Sequence, residues 1–253
     1  MLTKREISIL KETTWADFKL KYSSSVLGFF WSLLNPLLML ATLYLVFSIL
    51  FKWEIEYYQL FLLLGIIIWN FFSEATTKGM GGILEKAFLI KKIYFRREIT
   101  IISACLTSFF TLLLNLVVFL IFVLIFKGNF SWHVIYFPFI LVELFILALG
   151  FSLALGAFYT KFRDLRHIWE VLLSMGFFLT PIVYPISRIP ENYLKVYMLN
   201  PMARIITTSR DIFISNTISG LWDQTITLIL CLAIFFIGYY IFSKRKGHIV
   251  EEI

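Results

Sequence analysis

The sequence predicts an all-α integral membrane protein with six transmembrane helices. Hydrophobic residues make up 60% of its 253 residues, charged residues only 15%, and the mean hydropathy is +0.85. A soluble domain has about 25% charged residues. The apolar residues also fall into runs of the length that a bilayer core of about 30 Å requires. These observations exclude a soluble globular protein, and they attribute the net charge of +7 to basic loops beside a membrane, with no nucleic-acid partner.

Residues 1–25 predict an amphipathic helix that lies in the membrane interface. Apolar residues such as Leu10 and Phe18 form one stripe, and Lys and Asp side chains occupy the other face. Residues 1–25 lack the continuous apolar region of a secretory signal peptide, because charged residues interrupt them. The serines at 23–25 are expected to end this helix before the first span.

Six apolar segments predict the transmembrane spans. They are residues 29–51, 58–76, 99–126, 134–159, 168–183 and 222–242. With both termini on one side, that side holds seventeen of the 23 Lys and Arg residues. The positive-inside rule therefore places both termini in the cytoplasm, in a multi-pass protein of the cytoplasmic (inner) membrane.

The segment 78–98 lies between the second and third spans, and its stretch 85–98 carries the densest cluster of charge in the chain. Phe88, Leu89 and Ile93 recur at helical spacing among Lys and Arg side chains. This pattern predicts a short basic amphipathic helix that docks into a partner or lies on the membrane surface. The alternative is a solvated cytoplasmic loop that merely follows the positive-inside rule.

The segment 186–221, between the fifth and sixth spans, is too polar to cross the membrane but contains apolar turns. Two short helices that re-enter the membrane, with their turn near Asn200 and Pro201, would account for this mixture. Irregular backbone at membrane depth requires cover from protein or a cavity. The alternative is an amphipathic loop on the external surface.

Aromatic residues make up 19% of the chain, more than an interfacial belt needs. Tyr44, Phe47 and Phe51 share one face of the first span, and Phe177 and Tyr184 share one face of the fifth. Such stripes can line a conduit for sugars, whose C–H faces stack on rings. They can equally pack against lipid or a neighbouring helix.

The sequence shows no catalytic, cofactor or metal site. The three histidines lie in different segments without the spacing of metal ligands, and both cysteines lie in apolar runs. The glycines at 79–82 lack the Lys-Ser/Thr ending of a phosphate-binding loop, so the chain should not bind ATP itself. Glu143 lies in mid-span, where a carboxylate is often functional. An interior hydrogen-bonding role is preferred over a proton relay, because no basic partner lies in the spans.

Three stretches resemble the permease subunits of ABC-2 type exporters, in particular those that export O-antigen and other polysaccharides. Residues 22–36 are similar to the family's entry into the first span, with its Ser-x-Leu-Gly, Trp and Pro. Residues 89–98 are similar to the cytoplasmic segment between spans two and three, although the family often has Pro where this chain has Arg96. Residues 180–185, followed by the stretch from Asn200 to Asp211, are similar to the segment that joins spans five and six.

The resemblance implies one transmembrane domain over residues 1–253 and a homodimer that works with two ATP-binding cassette subunits. ATP and Mg²⁺ would bind those subunits, and a lipid-linked polysaccharide would cross between the two permeases. ATPase coupling is thereby assigned to Lys86, Phe88, Lys91, Lys92, Tyr94, Phe95, Arg96, Arg97, Arg163 and Asp164. Channel lining is assigned to Trp31, Tyr44, Phe47, Phe51, Phe177 and Tyr184. The external gate is assigned to Pro190, Asn200, Pro201, Arg210 and Asp211.

Two alternatives stay open at this point. One is an ABC-2 permease for another cargo, such as teichoic acid, capsule, a lipid or a drug. The other is a membrane-embedded transferase, which would need a charged catalytic constellation at one membrane face. The aspartates at 17, 164, 211 and 223 are isolated from one another in the sequence and fall on both sides of the membrane, which disfavours the transferase.

Overall fold

The computed structural model describes residues 3–23, 28, 30–127, 131–218 and 220–247. Within these ranges the chain is helical and forms no β-strand. The helices are α1 (Lys4–Ser23), α2 (Phe30–Tyr44), α3 (Tyr58–Glu85), α4 (Ala87–Lys92), α5 (Glu98–Phe126), α6 (Phe137–Tyr159), α7 (Leu165–Leu179), α8 (Glu191–Tyr197), α9 (Pro201–Arg210) and α10 (Leu221–Arg245). Of the serines predicted to end α1, Ser23 is its last residue, and those at 24 and 25 lie outside the described residues.

Five helical segments in the described part of the chain are long and apolar enough to cross a membrane. They are Phe30–Leu50, Tyr58–Glu85, Glu98–Phe126, Trp132–Tyr159 and Leu221–Arg245. The first consists of α2 and a π-helical extension, and the fourth of a short 3₁₀ turn and α6. These segments correspond to the predicted spans one, two, three, four and six.

The predicted fifth span, residues 168–183, is shorter as a helix than the sequence suggested. Helix α7 has 15 residues, which is about 22 Å at 1.5 Å per residue and less than the bilayer core. The helix ends at Leu179 because Pro181 lacks an amide donor and disfavours helical geometry at Thr180, whose φ and ψ are −98° and 146°. The six-span count therefore stays a prediction.

Helix α3 lies at the centre of the bundle and packs against α5 and α6. Nearly all of its apolar side chains are buried. Its glycines allow this close packing, because a Cβ atom at Gly79 would stand 2.5 Å from Ser152 Oγ and one at Gly82 would stand 2.9 Å from the Thr100 carbonyl oxygen. Helix α3 consequently continues through residues 78–85, and the separate helix in the predicted coupling segment is only α4.

Helix α1 runs alongside the first half of α5 and in the same direction. Phe18 stacks edge-on against Phe110 at 6.3 Å between ring centroids, and the Thr107 hydroxyl donates to the Thr14 carbonyl oxygen at 3.4 Å. Thr14 is buried in this contact, whereas Trp15 is 66% exposed. Thr14 and Phe18 thus face the bundle, whereas Trp15 faces outward.

Different helices lie at the two ends of the bundle. At the end where α3 finishes and α5 begins, here called the basic end, lie α1, α4 and the last turn of α10. At the opposite end lie α8, α9 and the first turn of α10. The predicted coupling residues therefore gather at the basic end, and the predicted gate residues gather at the opposite end.

Candidate functional site

Lys86, between α3 and α4, is an interior anchor at the basic end. Its ammonium group forms an ion pair with Asp17 of α1 and donates to Ser103 Oγ of α5 at 2.7 Å. Only 13% of its side chain is exposed. Lys86 therefore holds three helices together, and its side chain does not contribute to an outer docking surface.

The exposed part of the predicted coupling segment combines aromatic and basic side chains. Phe88 is 71% exposed and Tyr94 is 97% exposed. Lys92 Nζ stands 4.1 Å from the centroid of the Phe88 ring, a cation–π contact, and Lys91 beside it is exposed. We define the docking patch as Phe88, Lys91, Lys92 and Tyr94.

The last residues of the segment bind within the protein. Phe95 is 9% exposed and Arg96 Nε lies 3.4 Å from the Glu6 carboxylate. The Arg97 guanidinium donates to the Lys246 carbonyl oxygen after α10. These contacts connect the segment to Glu6 near the start of the described chain and to Lys246 near its end.

Glu6 accepts from the Thr3 amide at 2.8 Å, and this backbone hydrogen bond lowers the pKa of the Glu6 carboxyl. The hydroxyl of Thr3 adds a second donor at 3.1 Å, and the charge of Arg96 acts in the same direction. A lowered pKa means that the ionised carboxylate is the form that stabilises the start of α1. This contribution is present above the ordinary carboxyl pKa and is lost as the pH falls through the lowered one.

Arg163 and Asp164, the predicted second coupling contact, lie in the short link between α6 and α7. Both side chains are exposed. The Arg163 guanidinium carbon lies 5.9 Å from the centroid of the Tyr159 ring. Asp164 directly precedes α7 but makes no side-chain cap to it. Their exposure is compatible with the predicted contact.

The predicted channel-lining residues of the first span differ in their surroundings. Trp31 and Phe51 are 55% and 63% exposed. Phe47 is half-buried and lies 4.9 Å from Trp53 between ring centroids. The Tyr44 hydroxyl accepts from Gln59 Nε2 at 2.9 Å. Within one subunit these side chains form an aromatic cluster near the opposite end, with Trp31 at the start of α2.

The two predicted lining residues of the fifth span are held within the subunit. Phe177 is 8% exposed and packs edge-on against Trp69 of α3 at 6.2 Å. The Tyr184 hydroxyl lies 2.9 Å from the Phe178 carbonyl oxygen and 3.0 Å from the Tyr197 hydroxyl. The exposed stripe of α7 instead carries apolar side chains such as Val171 and Met175, 59% and 55% exposed.

At the opposite end, α8 and α9 form the two short helices predicted between spans five and six. Asn200 caps α9, since its side-chain oxygen accepts from the Met202 amide at 3.0 Å, and Pro201 takes the first helical position. Pro190 directly precedes α8. The turn between the two helices lies at Asn200 and Pro201, as predicted, and their re-entry into the membrane stays a prediction.

Arg210 is the most extensively bonded residue of this region. Its guanidinium donates to the carbonyl oxygens of Phe61 at 2.9 Å and Ile182 at 2.7 Å, and also to that of Pro181. The side chain is 6% exposed, and Gly65 makes room for it, because a Cβ there would stand 2.6 Å from Nη2. Arg210 thus joins α9 to α3 and to the turn after α7. Asp211, the next residue, begins a half-buried π-helical turn that ends at Ser215.

Two further cations, which the sequence did not single out, fasten the same region. Lys127 Nζ donates to the carbonyl oxygens of Phe213 and Ile214, each at 2.8 Å. Arg204 Nε donates to the Met198 carbonyl oxygen, and its Nη1 lies 3.4 Å from Asp223 of α10. Both are remote in sequence from some of their partners, so neither local pattern nor spacing indicates these contacts.

Glu143 lies in the middle of α6 and is 3% exposed. In the described part of the chain its Oε1 atom has no hydrogen-bond partner. The interior hydrogen-bonding role predicted for Glu143 is therefore wrong for this oxygen. The buried side chains one helical turn away, Ile140 and Leu147, are apolar and offer no donor.

The model of the ABC-2 type transporter family matches residues 10–214 of the chain. An O-antigen export system permease protein RfbA of Klebsiella pneumoniae is 29% identical over 247 residues, covering 96% of this chain and 94% of that protein. One from Myxococcus xanthus is 28% identical over 239 residues, covering 94% and 92%. The polysialic acid transport protein KpsM of Escherichia coli is 22% identical over 235 residues, covering 91% and 90%.

Proposed function

Because the chain belongs to the ABC-2 type transporter family, we propose that it is the membrane subunit of an exporter that moves a lipid-linked polysaccharide of the O-antigen type across the cytoplasmic membrane. One observation carries the choice of cargo. The relatives that match over at least nine-tenths of this chain are named for O-antigen export and for polysialic acid transport, and both cargoes are polysaccharides.

Energy for export would come from a separate pair of ATP-binding subunits, which would hold ATP and Mg²⁺. The glycine-rich segment 79–82 is part of helix α3, where Gly79 packs against α5 and α6 and Gly82 packs against α5. With the basic end in the cytoplasm, as the distribution of Lys and Arg favours, the docking patch would face these subunits. Arg163 and Asp164 would form a second contact.

We assign the docking function to Phe88, Lys91, Lys92 and Tyr94, a narrower set than the sequence suggested. Lys86, Phe95, Arg96 and Arg97 contact other parts of the chain and would transmit movement of the patch to α1, α5 and α10. Aromatic side chains flanked by cations are typical anchors of protein interfaces.

The channel would form between two copies of the subunit. Helix α2 with its π-helical extension, and helix α7, present long apolar faces that nothing within the described chain covers, including Leu38, Leu45, Val171 and Met175. A second copy would cover part of this surface. The aromatic cluster of Tyr44, Phe47 and Phe51 would then lie near the external mouth, beside the gate formed by α8 and α9.

Reconstitution tests this proposal directly. The chain and a candidate ATP-binding subunit from the same organism would be placed together in vesicles that contain the lipid-linked glycan of that organism. ATP should drive export of that glycan, and a catalytically inactive ATPase should abolish it. Export in the absence of the ATPase, or a chain that never copurifies with one, would contradict the proposal.

The alternative cargoes are distinguished by the same vesicles. Teichoic acid, capsular polysaccharide, a phospholipid or a drug would replace the O-antigen in separate preparations. A rate of ATP-dependent transport that is higher for one of these than for the lipid-linked O-antigen would reassign the cargo.

The transferase alternative loses support, because Asp17 pairs with Lys86, Asp223 contacts Arg204, and these two aspartates lie at opposite ends of the bundle.

A further inference from the structure

A polar cavity of about 580 Å³ lies between α1, α2, α3, α5 and the start of α7, apart from the docking patch and from the external gate. Its charged lining residues are Lys21, Glu74, Lys78 and Arg166. Neutral polar side chains complete much of the wall: Ser32, Asn35, Asn70, Ser73, Thr111 and Asn115. The volume is in the range of small-molecule and cofactor sites.

The cavity has an excess of positive charge. Three cationic side chains line it and only one carboxylate does. Glu74 is shared by two of the cations, at 2.6 Å from Lys21 Nζ and 2.7 Å from Lys78 Nζ. Arg166 pairs with Glu170, which lies outside the lining. One anionic oxygen thus faces two ammonium groups, so the cluster can accept further negative charge.

The depth of the cavity corresponds to the boundary between hydrocarbon and head groups. A bilayer core of about 30 Å takes about 20 helical residues at 1.5 Å each. Counted from the opposite end of the bundle, that length reaches about residue 77 in α3 and about residue 107 in α5. Glu74 and Thr111, which both bind Lys21, are within about one helical turn of these positions.

The ion pairs of Glu74 with Lys21 and Lys78 do not involve the neutral polar side chains of the cavity, such as Asn35 and Asn70. Polar side chains within transmembrane helices are costly and are retained where they line a cavity or a transport path. Here the polar and charged residues come from five helices and converge on one space. Trp31, at the start of α2, also lines this space and is 55% exposed, which places a large aromatic side chain at its rim.

We propose that this cavity binds the phosphate-bearing head group of the lipid-linked cargo at the basic end of the bundle, before export. Lys78 and Lys21 donate to the phosphate oxygens, Arg166 adds charge from α7, and the amide and hydroxyl groups bind the first sugar. The assignment rests on the proposed export function, because it identifies the ligand as cargo. The same phosphate chemistry in ordinary anionic phospholipid is the competing source.

Binding to the purified complex of the chain with its ATPase tests the assignment. The probes are farnesyl diphosphate, farnesol, which has the same chain without phosphate, and phosphatidylglycerol. Farnesyl diphosphate should bind more tightly than either of the other two. Lys78→Gln should weaken that binding about tenfold, the value of one charge-assisted hydrogen bond.

Two further variants separate a ligand role from a structural one. Glu74→Gln removes the competing carboxylate and should strengthen binding of farnesyl diphosphate. If the ion pair were purely structural, Glu74→Gln and Lys78→Gln would both weaken that binding. Lys19→Gln is the matched control, because Lys19 is exposed on the same helix as Lys21 and does not line the cavity. It should leave the dissociation constant unchanged.

Three results would overturn the assignment. They are equal affinity for farnesyl diphosphate and farnesol, an unchanged dissociation constant in Lys78→Gln, and equal affinity for phosphatidylglycerol, which would identify a site for bulk lipid. None of these results depends on ATP hydrolysis or transport. Their occurrence would leave the export function intact, and a failure of export in vesicles would leave the measured affinities intact.

Discussion

Arg210 illustrates how a single buried cation can organise a region at the membrane surface. A charged side chain removed from water is costly unless its donors are satisfied. The carbonyl oxygens after α7 would otherwise lack partners, because Pro181 ends that helix. Arg210 and Tyr58 together donate to the carbonyl groups of residues 181, 182 and 183. The arginine and the broken helix therefore stabilise each other.

Replacing Arg210 with methionine should destabilise the protein by about 2–4 kcal/mol, because several buried carbonyl groups lose their donors at once. This loss of stability would be measured as a lower thermal unfolding midpoint of the detergent-purified protein. Arg188→Met is the matched control at the same end of the bundle. Arg188 is exposed, and its guanidinium carbon lies 5.4 Å from the centroid of the Trp53 ring, so its loss should cost about 0.5 kcal/mol or less. An equal loss of stability in both variants would contradict the role described for Arg210.

At the scale of elements, α6 and α10 are joined by direct backbone contact. The Gly150 backbone lies against α10, where a Cβ at Gly150 would stand 2.7 Å from Phe235 Cα. A Cβ at Gly238 would collide with the Gly150 carbonyl oxygen. Small residues at a membrane helix interface allow such an approach and the dispersion contacts that come with it. No lipid or side chain fits between these two helices at that level.

Gly238→Ala should therefore separate the two helices and reduce stability by about 1–3 kcal/mol, the usual cost of overpacking. The thermal midpoint and the yield of membrane-inserted protein would measure the effect. Gly220→Ala, at the residue directly before α10, is a suitable control, since the nearest heavy atom to its added Cβ is Asp223 Oδ2 at 3.9 Å. If the two variants were equally stable, the close approach of α6 and α10 would be wrong.

The docking patch can be tested as an element separate from its anchors. Tyr94→Ala should lower the affinity for the ATPase about thirtyfold, because an exposed tyrosine at an interface centre is worth about 2 kcal/mol. The measurement is binding of the purified ATPase to the detergent-solubilised chain. Tyr193→Ala, at the opposite end and 67% exposed, is the control and should bind normally. Normal binding by the Tyr94 variant would remove the patch from the docking surface.

Across the whole molecule, the sequence predicted what depends on local pattern. The five long apolar helices, the two short helices before the last span and the short basic helix α4 follow from hydropathy, Pro positions and helical spacing. What the sequence could not supply is pairing between distant residues. In the sequence, Lys86 is one of many basic residues that are expected at the surface. In the structure it forms an ion pair with Asp17 of α1, which the sequence does not indicate. The sequence assigned Phe177 to the channel lining, whereas in the structure its ring packs against Trp69 of α3.

The proposed homodimer gives a prediction at the same scale, based on the uncovered apolar faces. If α7 faces a second copy, Met175→Cys in native membranes should yield a cross-linked dimer with a short bifunctional maleimide. Ile125→Cys, equally apolar and 68% exposed on α5, should face lipid and yield monomer. The two native cysteines, Cys105 and Cys231, are buried and should not react. A dimer from Ile125→Cys without one from Met175→Cys would place the interface on α5, and the channel between α2 and α7 would have to be abandoned.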